Sequence, residues 1–381
     1  MPHASGVSPC LRLFVLGLPG DVGGANTELW HTLKLWRRFK VDVTCVPTWK
    51  ADPRWEKRVR EIGCKVVSAT PQSLGDVPGL AGGTVAGFCN SRFLEAAPRL
   101  RRMGCRLVWV NCMTWLFPAE RLFCLRHGPF DAYVFQSKYQ QEQLQPQLAR
   151  FAEMEDRCFR IRGAFDAADF PFAPRRRKPS DPLILGRMSR GAADKFPADP
   201  WRPVALMRGR GMDVRLRVMG FTPRVAAKTG PPPSWAECLP EGAESPQAFL
   251  RSLHAMVQIS DTSENWPRTG LEALATGTPV IADNRGGWRE MIEHGRTGFL
   301  ADTDADLLAI LARLADDEPL RQNIARHARH CLEQELAEPE QAMAGWERVL
   351  ERSAIHCTIP LSLRHSAPPS YPPNPTMVSP C

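Results

Sequence analysis

No run of roughly 18 apolar residues occurs in this sequence, so no segment reads as a bilayer-spanning helix. The opening residues, MPHASGVSPC, lack the basic-then-apolar layout of a secretory leader, and a cytoplasmic location is the expectation. The twelve cysteines form no CxxC pair and share no metal-ligand spacing with histidine, which leaves no zinc motif and reads as buried reduced thiols. Basic residues are dispersed rather than striped with aromatics, and no nucleic-acid motif is present, so nucleic acid is not an expected partner.

What is present fits a globular chain. Its 381 residues exceed what one hydrophobic core usually organises, and 43% hydrophobic with 24% charged residues is ordinary for a folded protein. Two domains with a cleft between them follow. The net charge of +8 suits an anionic partner, such as nucleotide phosphates or an acidic membrane surface, without choosing between them.

From Leu11 onward, short apolar runs alternate with amphipathic stretches: LRLFVLGL, TELWHTLKLWRRF, VDVTCVPT, DPRWEKRVREIG, CKVVSA. The rhythm persists through TVAGFCN, SRFLEAAPRLRRMG, CRLVWVNC, FPAERLFCLRHG, DAYVFQS and KYQQEQLQPQLARF. This is the pattern of βαβ units, and it predicts a Rossmann-like, doubly wound domain over residues 1–165. FPFAPRRRKPSDP breaks both periodicities and reads as a solvated linker at 166–182. A second alternating series, from PLILGRM to TGFLA and followed by three helical stretches, predicts a second α/β domain over 183–353. The last of those helices is placed to reach the first domain. Residues 354–381 are proline-rich without period and read as a disordered tail.

The most informative stretch is SENWPRTGLEALATGTPVIADNRGGWREMIEHGRTGFLAD, Ser263 to Asp302. AMVQIS before it is a strand, DTSENWPR a loop at that strand's C-terminal end, and TGLEALAT a helix stopped by Gly277 and Pro279. Ligands of open α/β sheets bind at this edge. Thr269 as N-cap, with Gly270 beside it, would turn free backbone N–H groups and a positive dipole end toward a diphosphate. Glu264 and Glu272, eight positions apart, offer two carboxylates able to accept paired hydrogen bonds from vicinal sugar hydroxyls. Either alone reads as readily as a helix-stabilising acid or a solvated loop charge.

This segment resembles the donor-site signature of retaining glycosyltransferases with two Rossmann-like domains (GT-B), glycosyltransferase family 4 or group 1. The likeness runs through the paired glutamates, LEALATGTPVIA, Gly286 and Gly287, Glu290 and HGRTGFL. It implies that Glu264 contacts the donor sugar and is the catalytic candidate. It also implies that Glu272 holds the ribose, and that Asn265, Trp266, Pro267, Arg268, Thr269 and Gly270 line sugar and phosphates through backbone amides. Tryptophan and arginine stand where smaller residues are usual, an expectation of altered sugar choice. LILGRMSRGAADK resembles the family's first C-terminal strand, making Arg187 and Lys195 candidates to neutralise the diphosphate; their wide spacing leaves Arg190 as an alternative. Near the N-terminus, Gly23 and Gly24 in PGDVGGAN form a loop that admits phosphate or acceptor, or simply a tight turn. In WVNCMTWLFPAERL, Asn111, Thr114 and Trp115, and His127 beyond it, read as packing or capping before substrate contact.

The implied reaction is transfer of a hexose-type sugar from a nucleotide-diphosphate donor to a glycan, lipid-linked or small-molecule acceptor, with retention and with no cofactor. No Asp-x-Asp segment is read as the motif of metal-dependent sugar transferases, so no metal is expected. Polysaccharide assembly is the role the family likeness implies. A sugar-nucleotide epimerase or a phosphorylase on the same fold, and a non-catalytic sugar-nucleotide-binding protein, are the rivals.

Overall fold

The computed structural model describes residues 12–151, 153–154 and 156–355; of the tail expected over 354–381, the first two residues belong to the last helix and the rest, from 356 on, lies outside the described residues. Two parallel sheets organise the chain. The first has seven strands: β1 (Arg12–Val15), β2 (Asp42–Cys45), β3 (Lys65–Val66), β4 (Thr84–Phe88), β5 (Arg106–Val110), β6 (Ala132–Phe135) and β7 (Cys158–Arg160). Their spatial order is 3-2-1-4-5-6-7. Helices α1 (Gly24–Arg38), α2 (Pro53–Glu61), α3 (Ser91–Arg102), α4 (Pro118–His127) and α5 (Lys138–Leu148) connect them.

The second sheet repeats the plan with β8 (Leu183–Met188), β9 (Val214–Met219), β10 (Ala236–Leu239), β11 (Ala255–Gln258), β12 (Val280–Asp283) and β13 (Phe299–Ala301). Its order is 10-9-8-11-12-13. Here the helices are α6 (Arg202–Gly209), α7 (Pro223–Thr229), α8 (Pro246–Arg251), α9 (Arg268–Thr276), α10 (Trp288–Met291), α11 (Asp304–Asp316) and α12 (Glu318–Cys331). Every strand pair is parallel, which requires crossover helices and explains the near-continuous apolar strands such as VIAD and AYVF, covered on both faces. In both sheets the order reverses beside the first strand, between β1 and β4 and between β8 and β11, and a crevice opens there at the C-terminal edge.

Two details depart from the expected partition. The arginines of the linker are not merely solvated: Arg177 donates to the carbonyls of Ala315 (2.7 Å) and Asp181 (2.9 Å), and Arg175 donates to that of Ser252, so they fasten the linker to the second half. The sequence boundary at 353 groups the last helix, α13 (Pro339–Ile355), with the second sheet, whereas its packing puts it on the first. Met343, Trp346, Val349 and Leu350 join the core that contains Leu13, Val15 and Trp36, and Trp346 meets Trp36 edge-on at 4.8 Å. Burying each such side chain stabilises by about 1.5–3 kcal/mol, which outweighs proximity in sequence.

Candidate functional site

The crevices of the two sheets face each other, and β8 and β11 deliver the candidate residues. Arg187 near the end of β8 is buried; it donates to the Ile259 carbonyl (2.6 Å) and to that of Lys195, and lies 4.8 Å over the Phe196 ring. Burial pulls its pKa down to about 10, against the opposing pull of Asp283, Glu264 and Asp261. Its direct role is therefore to brace the turn Ala193–Lys195. That turn returns Lys195 to the cleft, which accounts for the wide spacing of the two residues. Lys195 Nζ donates to both carboxylate oxygens of Glu264, at 2.8 and 2.9 Å, with both side chains partly exposed to the cleft. Arg190 is exposed.

Helix α9 begins two residues earlier than a Thr269 cap would start it. Pro267, with φ −68° and no N–H to lose, is its N-cap, and Thr269 lies inside the first turn, its hydroxyl accepting from Gln258 Nε2 at 3.3 Å. The Gly270 N–H is already bonded to the Pro267 carbonyl (3.0 Å), so the orphan donors at this end are those of Arg268 and Thr269. Gly270 is required by packing: a Cβ there would fall 2.5 Å from Met291 Sδ and 2.6 Å from Trp288. Glu272, a turn further on, is 7% exposed, and no hydrogen-bond donor among the described residues reaches its carboxylate. Burial raises its pKa to about 7, opposed by the nearby Arg268 charge.

The residues between the glutamates do something the sequence did not suggest. Asn265 Oδ1 accepts from Ser137 Oγ (2.7 Å), and its Nδ2 donates to Gln136 Oε1 (3.1 Å) and to the Cys112 carbonyl (3.3 Å), all in the first half. Trp266 is buried in the second core with the Arg162 guanidinium 5.8 Å from its ring, so it is packing material rather than a wall for the sugar. Arg268 crosses to α1 and pairs with Glu28 at 2.8 Å, both side chains over nine-tenths buried, while lying 5.4 Å over Phe165. Glu28 is held on its other oxygen by Thr32 Oγ1 and the Ala164 N–H, both at 3.1 Å. Burial nevertheless raises its pKa, with Arg268 the main opposing influence. Gly24 abuts this pair, since a Cβ on it would lie 3.6 Å from Arg268 Cγ; Gly23 is open on that side.

A second bridge lies nearby. The Glu290 carboxylate accepts from the N–H groups of Lys138 and Tyr139, each at 2.8 Å, and so caps α5 from across the cleft. Gly286 and Gly287 make this possible: the Gly287 N–H donates to the Glu264 carbonyl (2.8 Å), and a Cβ on Gly287 would sit 1.6 Å from the Asn265 carbonyl oxygen. Gly286 adopts φ +57°, which a side chain would strain. The acceptor-side candidates fold their own loop. Asn111 is buried, donating to the Trp115 carbonyl (3.0 Å) and Glu120 (3.2 Å); Thr114 lies in that loop; Trp115 is half exposed. The carbonyl of His127 at the end of α4 is capped by Arg101. Asp-x-Asp spacing does occur, against the sequence reading, at Asp302–Asp306, where Asp306 and Thr303 close a capping box on α11.

Residues 240–330 match the family model of the glycosyl transferases group 1. Among sequence relatives, D-inositol 3-phosphate glycosyltransferase of Paenarthrobacter aurescens is 36% identical over 103 residues, 26% of this chain and 23% of that protein. Its counterpart in Pseudarthrobacter chlorophenolicus is 29% identical over 200 residues, 49% and 44% respectively. The chain thus spans less than half the length of these relatives. Among solved structures, the Anabaena protein HepE in complex with UDP-glucose superposes with a TM-score of 0.68 at 17% identity, covering 91% of this chain and all of that one. TarM does so with a TM-score of 0.69 at 10% identity, covering 90% and 99%. The chain has the two-sheet GT-B fold, and residues 240–330 of its second half are similar to the group 1 glycosyl transferases.

Proposed function

We propose that the protein is a glycosyltransferase that moves a hexose-type sugar from a nucleoside-diphosphate donor, held by the second half, to an acceptor taken by the first. The observation that carries this reading is Glu272. A carboxylate buried at the crevice edge without a donor suits two ribose hydroxyls, which would supply the hydrogen bonds the protein withholds. Glu264, paired with Lys195 at 2.8 Å, faces the sugar in this reading.

Glycosyl transfer develops positive charge at the anomeric carbon and negative charge on the departing diphosphate. Lys195, the field of Arg187 and the α9 N-terminus supply a preorganised positive environment for that leaving group, which supports a metal-independent reaction. Retention and a place in polysaccharide assembly come from the family likeness. The test is thermal stabilisation by a panel of UDP-, GDP- and ADP-sugars, with UDP-sugars first because the Anabaena neighbour holds UDP-glucose. A shift with one sugar nucleotide, lost in Glu272→Ala, is expected, and Glu264→Ala should abolish transfer while keeping the fold. No shift with any sugar nucleotide would overturn the reading.

A further inference from the structure

A globular protein's surface helix turns its apolar stripe inward and its polar side out. Helix α4 does the first and not the second. Phe123 and Cys124, with Leu116 just before the helix, enter the core beneath it. Its outer side presents Leu122 at 45% exposure and Leu125 at 69%, with Trp115 at 50% just ahead of the first turn and Pro118 and Ala119 also exposed. Exposed leucines singly need no explanation, but two on one helical face with a tryptophan at its end form a patch.

The rim of that patch is basic. Arg121 and Arg126 flank the leucines on α4, and Arg92 and Arg102 are exposed on α3, which packs beside it. The one exposed carboxylate on α3 is Glu95, already paired with Arg92 at 3.2 Å, and Glu120 of α4 is buried. The local field is strong enough to register on His127, whose pKa is lowered by partial burial and then by Arg101, Arg102 and Arg126.

We propose that the outer face of α4 docks on an anionic lipid surface, with Trp115, Leu122 and Leu125 entering the headgroup boundary and Arg121, Arg126 and Arg102 meeting lipid phosphates. Apolar tips ringed by arginine, with tryptophan at the border, match the two layers of a bilayer interface. A second copy of this chain is the poorer occupant, since a two-fold contact would set the same arginines against each other. No helix among the described residues is long and apolar enough to cross a membrane, so the contact is peripheral. The patch leads directly into the cleft: Trp115 belongs to the loop after β5, whose Cys112 carbonyl accepts from Asn265. On the transferase reading, this orientation presents the cleft to an acceptor carried in the lipid.

The test is flotation of the full chain with vesicles of phosphatidylcholine plus phosphatidylglycerol, against phosphatidylcholine alone, at low and high salt. Binding to the anionic vesicles only, weakened by salt and weakened about tenfold or more in Leu122→Glu/Leu125→Glu and in Arg121→Glu/Arg126→Glu, is expected. No flotation, equal flotation of the variants, or a concentration-dependent dimer in light scattering that the leucine variant dissolves would overturn it. The sugar-nucleotide melting shift, read on the same preparations, separates the two proposals. A variant that keeps the shift and loses flotation is folded, and flotation without any shift leaves the surface standing while the transferase reading falls.

Discussion

Glu272→Gln should make the unliganded protein more stable above pH 7 and the donor complex weaker, two effects with opposite pH trends. Burial raises the Glu272 pKa from the ordinary 4.5 to about 7. Between those values the folded state holds a proton that the unfolded chain has released, so stability falls as pH rises, and above 7 the penalty is complete. At about 1.36 kcal/mol per pKa unit, the wild type loses roughly 2.5 kcal/mol between about pH 5 and 8 through this group. The amide in the variant does not titrate. Other carboxyls with raised pKa values, such as Glu120 and Asp283, are common to both proteins and cancel in the difference. Donor affinity runs the other way. If the ribose hydroxyls need the carboxylate, the wild type binds more tightly as pH rises toward 7 and is flat beyond it, with up to about a hundredfold between the extremes. The glutamine variant should be weak and flat throughout. Urea unfolding at the two pH values and calorimetric titration with the sugar nucleotide read both limbs. Equal pH slopes of stability in the two proteins would refute the burial argument, and unchanged affinity in the variant would refute the ribose assignment.

Three other outcomes follow from the geometry. Arg268→Met leaves Glu28 buried without its charge partner and should cost about 3–5 kcal/mol in denaturant unfolding, most of it recovered in the Arg268→Met/Glu28→Gln double variant; a single-variant cost below about 1 kcal/mol would contradict a buried pair. Glu290→Ala removes the cap on α5 and one bridge between the halves, and should lower kcat about two- to thirtyfold with a reduced donor-induced melting shift, and Glu290→Gln should recover part of both. Unchanged kcat and an unchanged melting shift in Glu290→Ala would refute the coupling of that bridge to the donor site. Trp266→Ala should destabilise by about 3–5 kcal/mol and leave the ranking of donor sugars as it is, because the ring fills core rather than pocket; a changed ranking in the panel would reinstate it as a sugar contact.

The layered fold was legible because each half alternates short apolar runs with amphipathic stretches, and parallel strands covered on both faces must read that way. LRLFVLGL, TVAGFCN and DAYVFQS became β1, β4 and β6, and TGLEALAT became α9 but for its first residue. That residue was misplaced because a threonine is the commoner cap, whereas the fixed φ of Pro267 starts the helix sooner. The pairing of Lys195 with Glu264 could be approached through motif likeness. The pairing of Arg268 with Glu28 could not, since local periodicity says nothing of partners 240 positions apart, and TELW around Glu28 looks like any amphipathic helix. The destination of α13 was legible in part: its place at the end of the chain let it reach the first domain, but its apolar spacing announced a buried face without saying that the first sheet would take all of it.

The segment between the glutamates therefore carries two duties that share atoms. Asn265, next to Glu264, bonds Ser137, whose hydroxyl also accepts from the Gln140 N–H as the N-cap of α5. Glu290 caps the same helix, and Gly287, three residues before it, holds the Glu264 carbonyl. Closing the two halves and setting the backbone of Glu264 are consequently one event, and a donor that favours either favours both. The buried Arg268–Glu28 pair does not forbid opening. Separation admits water to both charges together, so hinge motion forfeits only the difference between their mutual attraction and their hydration, which for buried pairs is small. Deleting one partner is a different perturbation, because the survivor stays buried and unhydrated. An interface held by such a pair is costly to mutate and cheap to open, as the proposed transfer, with donor entering and product leaving, requires.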